Sequence, residues 1–177
     1  MKGMVAKNIR RTHRNSGVSS EAVYSACNAY RYRLTRIWQR GGKKLLFVML
    51  NPSTATEAQN DPTVERCERR ARGLGYGAFR VVNLFAWRDT SPMALRIAKE
   101  PVGPANNQVI RRSIDWADTI VAAWGTHGEH LQRGEEVITL LRKRRRPVHH
   151  LGLTKAGHPR HPLYVAYSRP LELWFGS

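Results

Sequence analysis

Four short apolar runs, each closed by a polar, turn-forming segment, constrain this chain more than any other feature. They are Leu45–Leu50, Ala78–Phe85, Thr119–Trp124 and Val148–Leu153. Continuous apolar runs of this length suit strands buried on both faces. Helical spacing fills the gaps between them. Asp61-Pro62 offers an N-cap and a first-turn proline to a helix whose stripe is Val64, Cys67, Ala71 and Leu74. Thr90 or Ser91 with Pro92 opens a short helix through Ile97, Pro104 starts one that turns Ile110, Ile114 and Ala117 inward, and a last one runs from about Gly128 to Arg144 with Leu131, Val137, Ile138 and Leu141 apolar. Strand alternating with helix predicts an α/β domain: a mostly parallel central sheet of about four strands flanked by helices in three α/β/α layers. Tyr30–Trp38 alternates aromatic and β-branched residues with arginines, and Gly41-Gly42 supplies a turn, so this segment is expected to form an antiparallel hairpin strand that feeds the run at Leu45.

The chain has 177 residues, enough for one domain with a real core. Residues 1–20 carry Lys2, Lys7, Arg10, Arg11 and Arg14 with no acid, and read as a basic flexible arm ahead of a single domain over 21–177. No apolar run approaches the ~18 residues of a membrane span, and no apolar segment follows the basic start as in a secretory signal. Cys27 and Cys67 are too few for a disulfide framework and read as small apolar packers. A cytoplasmic protein with no membrane partner and no cofactor is expected. Thirty lysines and arginines against 13 acids give a net charge of +17, and 23 of the 30 are arginine. Such an excess favours nucleic acid or a nucleotide as partner, since guanidinium groups suit bidentate phosphate contacts.

In parallel α/β sheets ligands bind beyond the carboxyl ends of the strands, so the strand-end loops are where chemistry is expected. They are Asn51-Pro52-Ser53-Thr54, the stretch from Asn83 through Trp87, Arg88 and Asp89 to Thr90, Gly125-Thr126-His127-Gly128, and Thr154 to Tyr164 with His158, Arg160 and His161. Asparagines at strand ends offer donor and acceptor to an amide-like ligand or position a water. A proline-braced histidine can donate to a developing oxyanion. Trp87 or Tyr164 can stack on a base, and Arg88 and Arg160 can hold phosphates. Asp89 and Thr90 also fit a plain helix cap, and His158 and His161, parted by Pro159, make no metal site. No phosphate-binding glycine loop of the ATP or dinucleotide type is present.

Two resemblances follow from these strings. Tyr30-Arg31-Tyr32, Phe47 to Ala55 (Phe-Val-Met-Leu-Asn-Pro-Ser-Thr-Ala), Asp61-Pro62-Thr63, Asn83-Leu84-Phe85-Ala86, Pro101-Val102-Gly103-Pro104, Ala122-Ala123-Trp124-Gly125 and Pro159 to Tyr164 closely resemble, in order, the family called domain of unknown function 1643. More distantly, Asn51-Pro52, Asn83-Leu84 with Arg88 and Thr90, Trp124-Gly125 and His158-Pro159 or His161-Pro162 resemble the motif series of the uracil-DNA glycosylase superfamily. That second resemblance implies a glycosylase-like fold, Asn51 positioning a hydrolytic water, and His158 or His161 stabilising the charge on a departing base. The candidate catalytic residues are therefore Asn51, His161 and His158. The candidate ligand-binding residues are Pro52, Ser53, Asn83, Trp87, Arg88, Gly125, Arg160 and Tyr164. The function expected is action on a nucleic acid or nucleotide, with N-glycosidic hydrolysis as the candidate reaction. The alternatives are a non-catalytic nucleic-acid-binding module and a small-molecule enzyme with an anionic substrate.

Overall fold

In the computed structural model, which describes residues 7–176, the chain forms β1 (Ile9–Asn15), β2 (Val18–Tyr24), β3 (Arg31–Ile37), β4 (Lys44–Met49), α1 (Pro62–Gly73), β5 (Ala78–Asn83), α2 (Pro92–Ile97), α3 (Asn106–Trp116), β6 (Thr119–Ala122), α4 (Arg133–Lys143), β7 (Val148–His150) and β8 (Glu172–Phe175). Short 3-10 turns occupy Thr126–Gln132 and Pro162–Tyr164. The strands make one sheet in the order β1-β2-β3-β5-β4-β6-β7-β8. Its centre is parallel, β4 pairing with β5 and β6, and β6 with β7. The four remaining pairings, β1–β2, β2–β3, β3–β5 and β7–β8, are antiparallel.

This overturns the expectation of a mostly parallel sheet of about four strands in three layers, and with it the glycosylase-like architecture: the sheet is mixed, has eight strands, and most of its pairings are antiparallel. The added strands β1, β2 and β8 flank the parallel centre, and none of them carries an apolar run that announces it. In β1 only Ile9 is even partly buried, so its Arg-Arg-Thr-His-Arg sequence carries no strand signal. Consequently the basic stretch through Ser20 is not a free arm over its described length. Residues 9–15 and 18–20 are paired strand, joined at Ser16-Gly17, both at positive φ, which suits a two-residue hairpin turn. Met1 and Lys2 fall outside the described residues. The Gly41-Gly42 turn does not close a hairpin either. β3 pairs with β2 and β5, and β4 lies one strand further in.

Two apolar clusters, one on each face, hold the sheet. One joins Leu45, Phe47, Phe79, Val81 and Val121 to Val64, Cys67 and Ala71 of α1; the other joins Leu46, Val48, Val82 and Ile120 to Ile110 and Ile114 of α3 and Val137 and Leu141 of α4. α1 starts where its capping signal sits, Asp61 Oδ1 accepting from the Val64 amide at 2.8 Å. The helix expected from Gly128 is shorter, because Leu131 and Gln132 take left-handed φ values of 53° and 54°; α4 begins at Arg133 and Leu131 is exposed. Among the described residues no helix is long and apolar enough to cross a membrane.

Candidate functional site

Beyond Met49 the parallel strands stay zipped. The Leu84 and Phe85 amides donate to Met49 and Leu50 carbonyls, and the Ala123 amide to Val48. The chain then turns at Asn51-Pro52, and this turn is bonded to the loop after β5. Asn51 Nδ2 donates to the Asp89 carbonyl at 2.9 Å and to its neighbour Pro52 at 3.3 Å, while the Asp89 amide donates to Pro52 at 3.0 Å. With both amide hydrogens committed, Asn51 can offer a ligand only Oδ1, an acceptor.

After β6, Gly125 takes φ 73° and ψ −169°, a region essentially reserved for glycine. Its amide donates to Pro159 at 2.8 Å. The loop after β7 is closed on itself by the Thr154 amide to His158 (2.8 Å) and the Arg160 amide to Gly152 (2.9 Å). His161 follows and caps the turn Pro162–Tyr164, its Nδ1 accepting from the Leu163 amide at 3.3 Å.

Together these loops wall a cavity of about 620 Å³ at the carboxyl ends of β4 and β6. Asn51, Ser53 and Thr54 form one wall; Asp61 and Thr63 at the head of α1 and Asp89 and Thr90 after β5 form others; Trp124, Gly125, Thr126 and His127 follow β6, and Thr154, Arg160, His161, Leu163 and Tyr164 close it. Burial pulls the His161 imidazole down to about 4, against the weaker opposite pull of the Asp61 carboxylate. Around neutral pH the ring is therefore uncharged, and a neutral ring that accepts at Nδ1 carries its proton on Nε2. Among the polar groups lining the cavity are thus an oriented acceptor, Asn51 Oδ1, and a neutral donor, His161 Nε2–H. Both Asp61 oxygens are already engaged, Oδ2 by the Ala55 amide at 3.2 Å.

Buried arginines set these walls. Arg31, almost fully buried and drawn down to about 10 by that burial, donates Nη1 to the Ala55 carbonyl at 2.7 Å. Arg36 holds the Thr56 carbonyl at 2.6 Å and Asn60 Oδ1 at 2.9 Å. Arg66 donates to Pro162 (3.1 Å) and Val165 (2.8 Å), and Arg70 reaches the carbonyls of Val165, Ala166, Tyr167 and Arg169. A guanidinium carries five N–H donors, enough to cap several carbonyls left open by irregular chain. Part of the arginine content is therefore internal scaffolding.

Of the candidates read from sequence, Asn51, Ser53, Gly125, Arg160, His161 and Tyr164 line the cavity. Pro52 is buried and contributes its carbonyl to the Asn51–Asp89 bonding. Asn83 is buried away from the cavity, and neither atom of its amide has a partner among the described residues. Trp87 packs edge-on against Tyr30 at 5.6 Å, and Arg88 lies over the Tyr24 ring and donates to Asn28, so both turn toward the end of β2 and the β2–β3 connection. His158 belongs to a separate recess of about 170 Å³ beside Glu129 and Trp174. Asp61 and Asp89 were legible only as helix caps, yet both line the cavity. For Asp89 the loop after β5 was the available signal; Asp61, at the head of α1, offered none beyond its cap. Among the described residues no three His, Cys, Asp or Glu side chains gather as a metal-binding group.

Fold and site define a mixed-sheet α/β protein with a ligand-sized cavity at the carboxyl ends of its parallel strands. The chain belongs to the family described as Protein of unknown function (DUF1643), whose pattern matches residues 31–163, β3 through the turn after His161. No curated protein and no solved structure matches it, so the likeness to uracil-DNA glycosylases finds no support there.

Proposed function

We propose that the cavity binds the base of a nucleoside or nucleotide. The observation that supports this reading is the pairing of Asn51 and His161 on one cavity as a fixed acceptor and an uncharged donor. Uracil, thymine, guanine and hypoxanthine each present the complementary set, a ring N–H beside a carbonyl, whereas adenine does not. Two further features agree. The volume of about 620 Å³ lies within the range of small-molecule sites. Arg160 is exposed at the wall with Nε tied to the Leu153 carbonyl at 3.1 Å, leaving its terminal nitrogens for an attached phosphate.

The test is calorimetric titration with uridine, inosine, adenosine and their monophosphates, with base release from uracil- and hypoxanthine-containing DNA followed in parallel. At least one nucleoside binds, and Asn51→Ala and His161→Ala each weaken it by about tenfold or more, the scale of one lost buried hydrogen bond. Base release that vanishes in both variants makes the site hydrolytic; binding without release makes it a recognition site. Failure of every nucleoside to bind at millimolar concentration overturns the reading.

A further inference from the structure

Seven exposed basic residues lie along the edge of the sheet opposite the cavity. The parallel strands start there. Arg14 lies beside the β1–β2 turn, Arg40 and Lys43 lie in the β3–β4 turn, and residues 142–145, Arg-Lys-Arg-Arg, end α4 before β7; all are exposed. The register Arg14↔Ser19, Ser19↔Ile37, Ile37↔Ala78 and Ala78↔Lys44 carries this edge continuously across β1, β2, β3, β5 and β4. β6 and β7 extend it, and Arg146 clamps the run at 142–145 in place by donating to the carbonyls of Ile114, Ala117 and Asp118. Six strand spacings of about 4.8 Å separate β1 from β7, so the stripe is about 29 Å long.

The carboxylates on this edge leave most of the stripe uncompensated. Asp118 accepts from the Lys44 amide at 2.8 Å, and Asp115 pairs with Arg144 alone at 3.2 Å. Arg14, Arg40, Lys43, Lys143 and Arg145 make no ion pair among the described residues. Arg145 adds an independent observation. It follows α4 at φ 49°, where chains usually place glycine or asparagine, and an arginine there costs on the order of 1 kcal/mol. The cavity has the opposite character, two carboxylates against one guanidinium.

We infer that this edge is a second binding surface, for the phosphate backbone of double-stranded nucleic acid, separate from the cavity. The stripe matches about nine base pairs at 3.4 Å each. It is mostly arginine, which grips phosphate oxygens in pairs, and is disposed as a line rather than as an amphipathic helix for a lipid surface. Duplex bound there leaves the cavity facing away from it, so the inference stands whether or not the cavity takes a nucleobase.

The experiment is fluorescence anisotropy of a labelled 20-base-pair DNA duplex across a salt series. The slope of log K against log salt falls by about 3 to 4 when Arg142, Lys143, Arg144 and Arg145 are all changed to Gln, near 0.9 per lost phosphate contact. Changing Arg14, Arg40 and Lys43 to Gln lowers it by about 2 to 3 and checks the far end independently. Thermal unfolding of both variants is recorded as the folding control, and nucleoside titration is unchanged by either. Slopes equal to the parent's in both variants overturn the inference. So does binding to phosphatidylserine vesicles as tight as to duplex at equal phosphate.

Discussion

The Gly125 amide donates to the Pro159 carbonyl at 2.8 Å, and through that bond the exit of β6 sets the loop that carries His161. A Cβ at Gly125 would stand 3.6 Å from the His161 Cβ, an ordinary contact, so the difficulty of replacing this glycine lies in its backbone angles. Gly125→Ala is expected to destabilise the protein by about 1–3 kcal/mol and to shift the His161 ring resonances. Unfolding in urea measures the first and NMR the second; a loss below about 0.5 kcal/mol, within surface-substitution scatter, contradicts the account.

His161 makes stability depend on pH in a stated direction. Its folded pKa, about 4, lies below the ordinary histidine value, so the unfolded chain takes up the proton first. The contribution is fully present above pH ~6.5 and declines by on the order of 1 kcal/mol per pH unit as pH falls toward about 4. Denaturation midpoints across that window fall less steeply for His161→Gln. Parallel curves for the two proteins contradict burial of a neutral ring.

Asn51→Asp separates hydrogen bonding from shape. A carboxylate in place of Nδ2 faces the carbonyls of Asp89 and Pro52 with no proton to give. The variant is expected to lose about 1–3 kcal/mol at pH 7 and to recover part of it as pH falls toward ~4, because a carboxylate facing carbonyls takes up its proton in the folded state before the unfolded chain does and can then donate again. Asn51→Ala shows no such recovery.

Arg70 and Arg111 differ in what they hold. Arg70 is buried with four carbonyl acceptors, whereas Arg111 is exposed on α3. Arg70→Met is expected to cost about 3 kcal/mol or more because it leaves carbonyls of the chain after the cavity unsatisfied, and Arg111→Gln to stay within about 0.5 kcal/mol. Equal effects in chemical denaturation would falsify the scaffolding role.

The two cysteines are not alike, although both were read as packers. Cys67 is buried and its thiol is pushed up by that burial; Cys27 is exposed, and its hydrogen bond with the Ser25 hydroxyl, 3.3 Å away, holds it below the usual thiol range. In native protein a thiol reagent is expected to modify Cys27 and spare Cys67, which reacts only on unfolding. Rapid labelling of Cys67 in folded protein contradicts its packing.

Legibility followed burial. Leu45–Leu50, the Asp61-Pro62 cap and the Ser91-Pro92 start announce themselves because apolar runs and capping residues are local signals. β1 was hidden because as an edge strand it buries almost nothing, β2 because its buried face of Ser20, Ala22 and Tyr24 is too small and polar to read as an apolar run, and the pairing of β3 with β5 instead of β4 is a choice of partner no local pattern encodes. In the site, Asn51 and His161 were legible from turn chemistry at strand ends. The outward turn of Trp87 and Arg88 was not, since it depends on Tyr30 and Tyr24, which come from a different strand region.

One wall of the cavity, Thr154 to Tyr164, comes from the last quarter of the chain; Arg66 straps it to α1 at Pro162, and Arg70 holds the segment just after it, across roughly a hundred positions of sequence. A fragment ending before residue 150 lacks that wall altogether, so the cavity exists only once the end of the chain has been made and folded back onto α1.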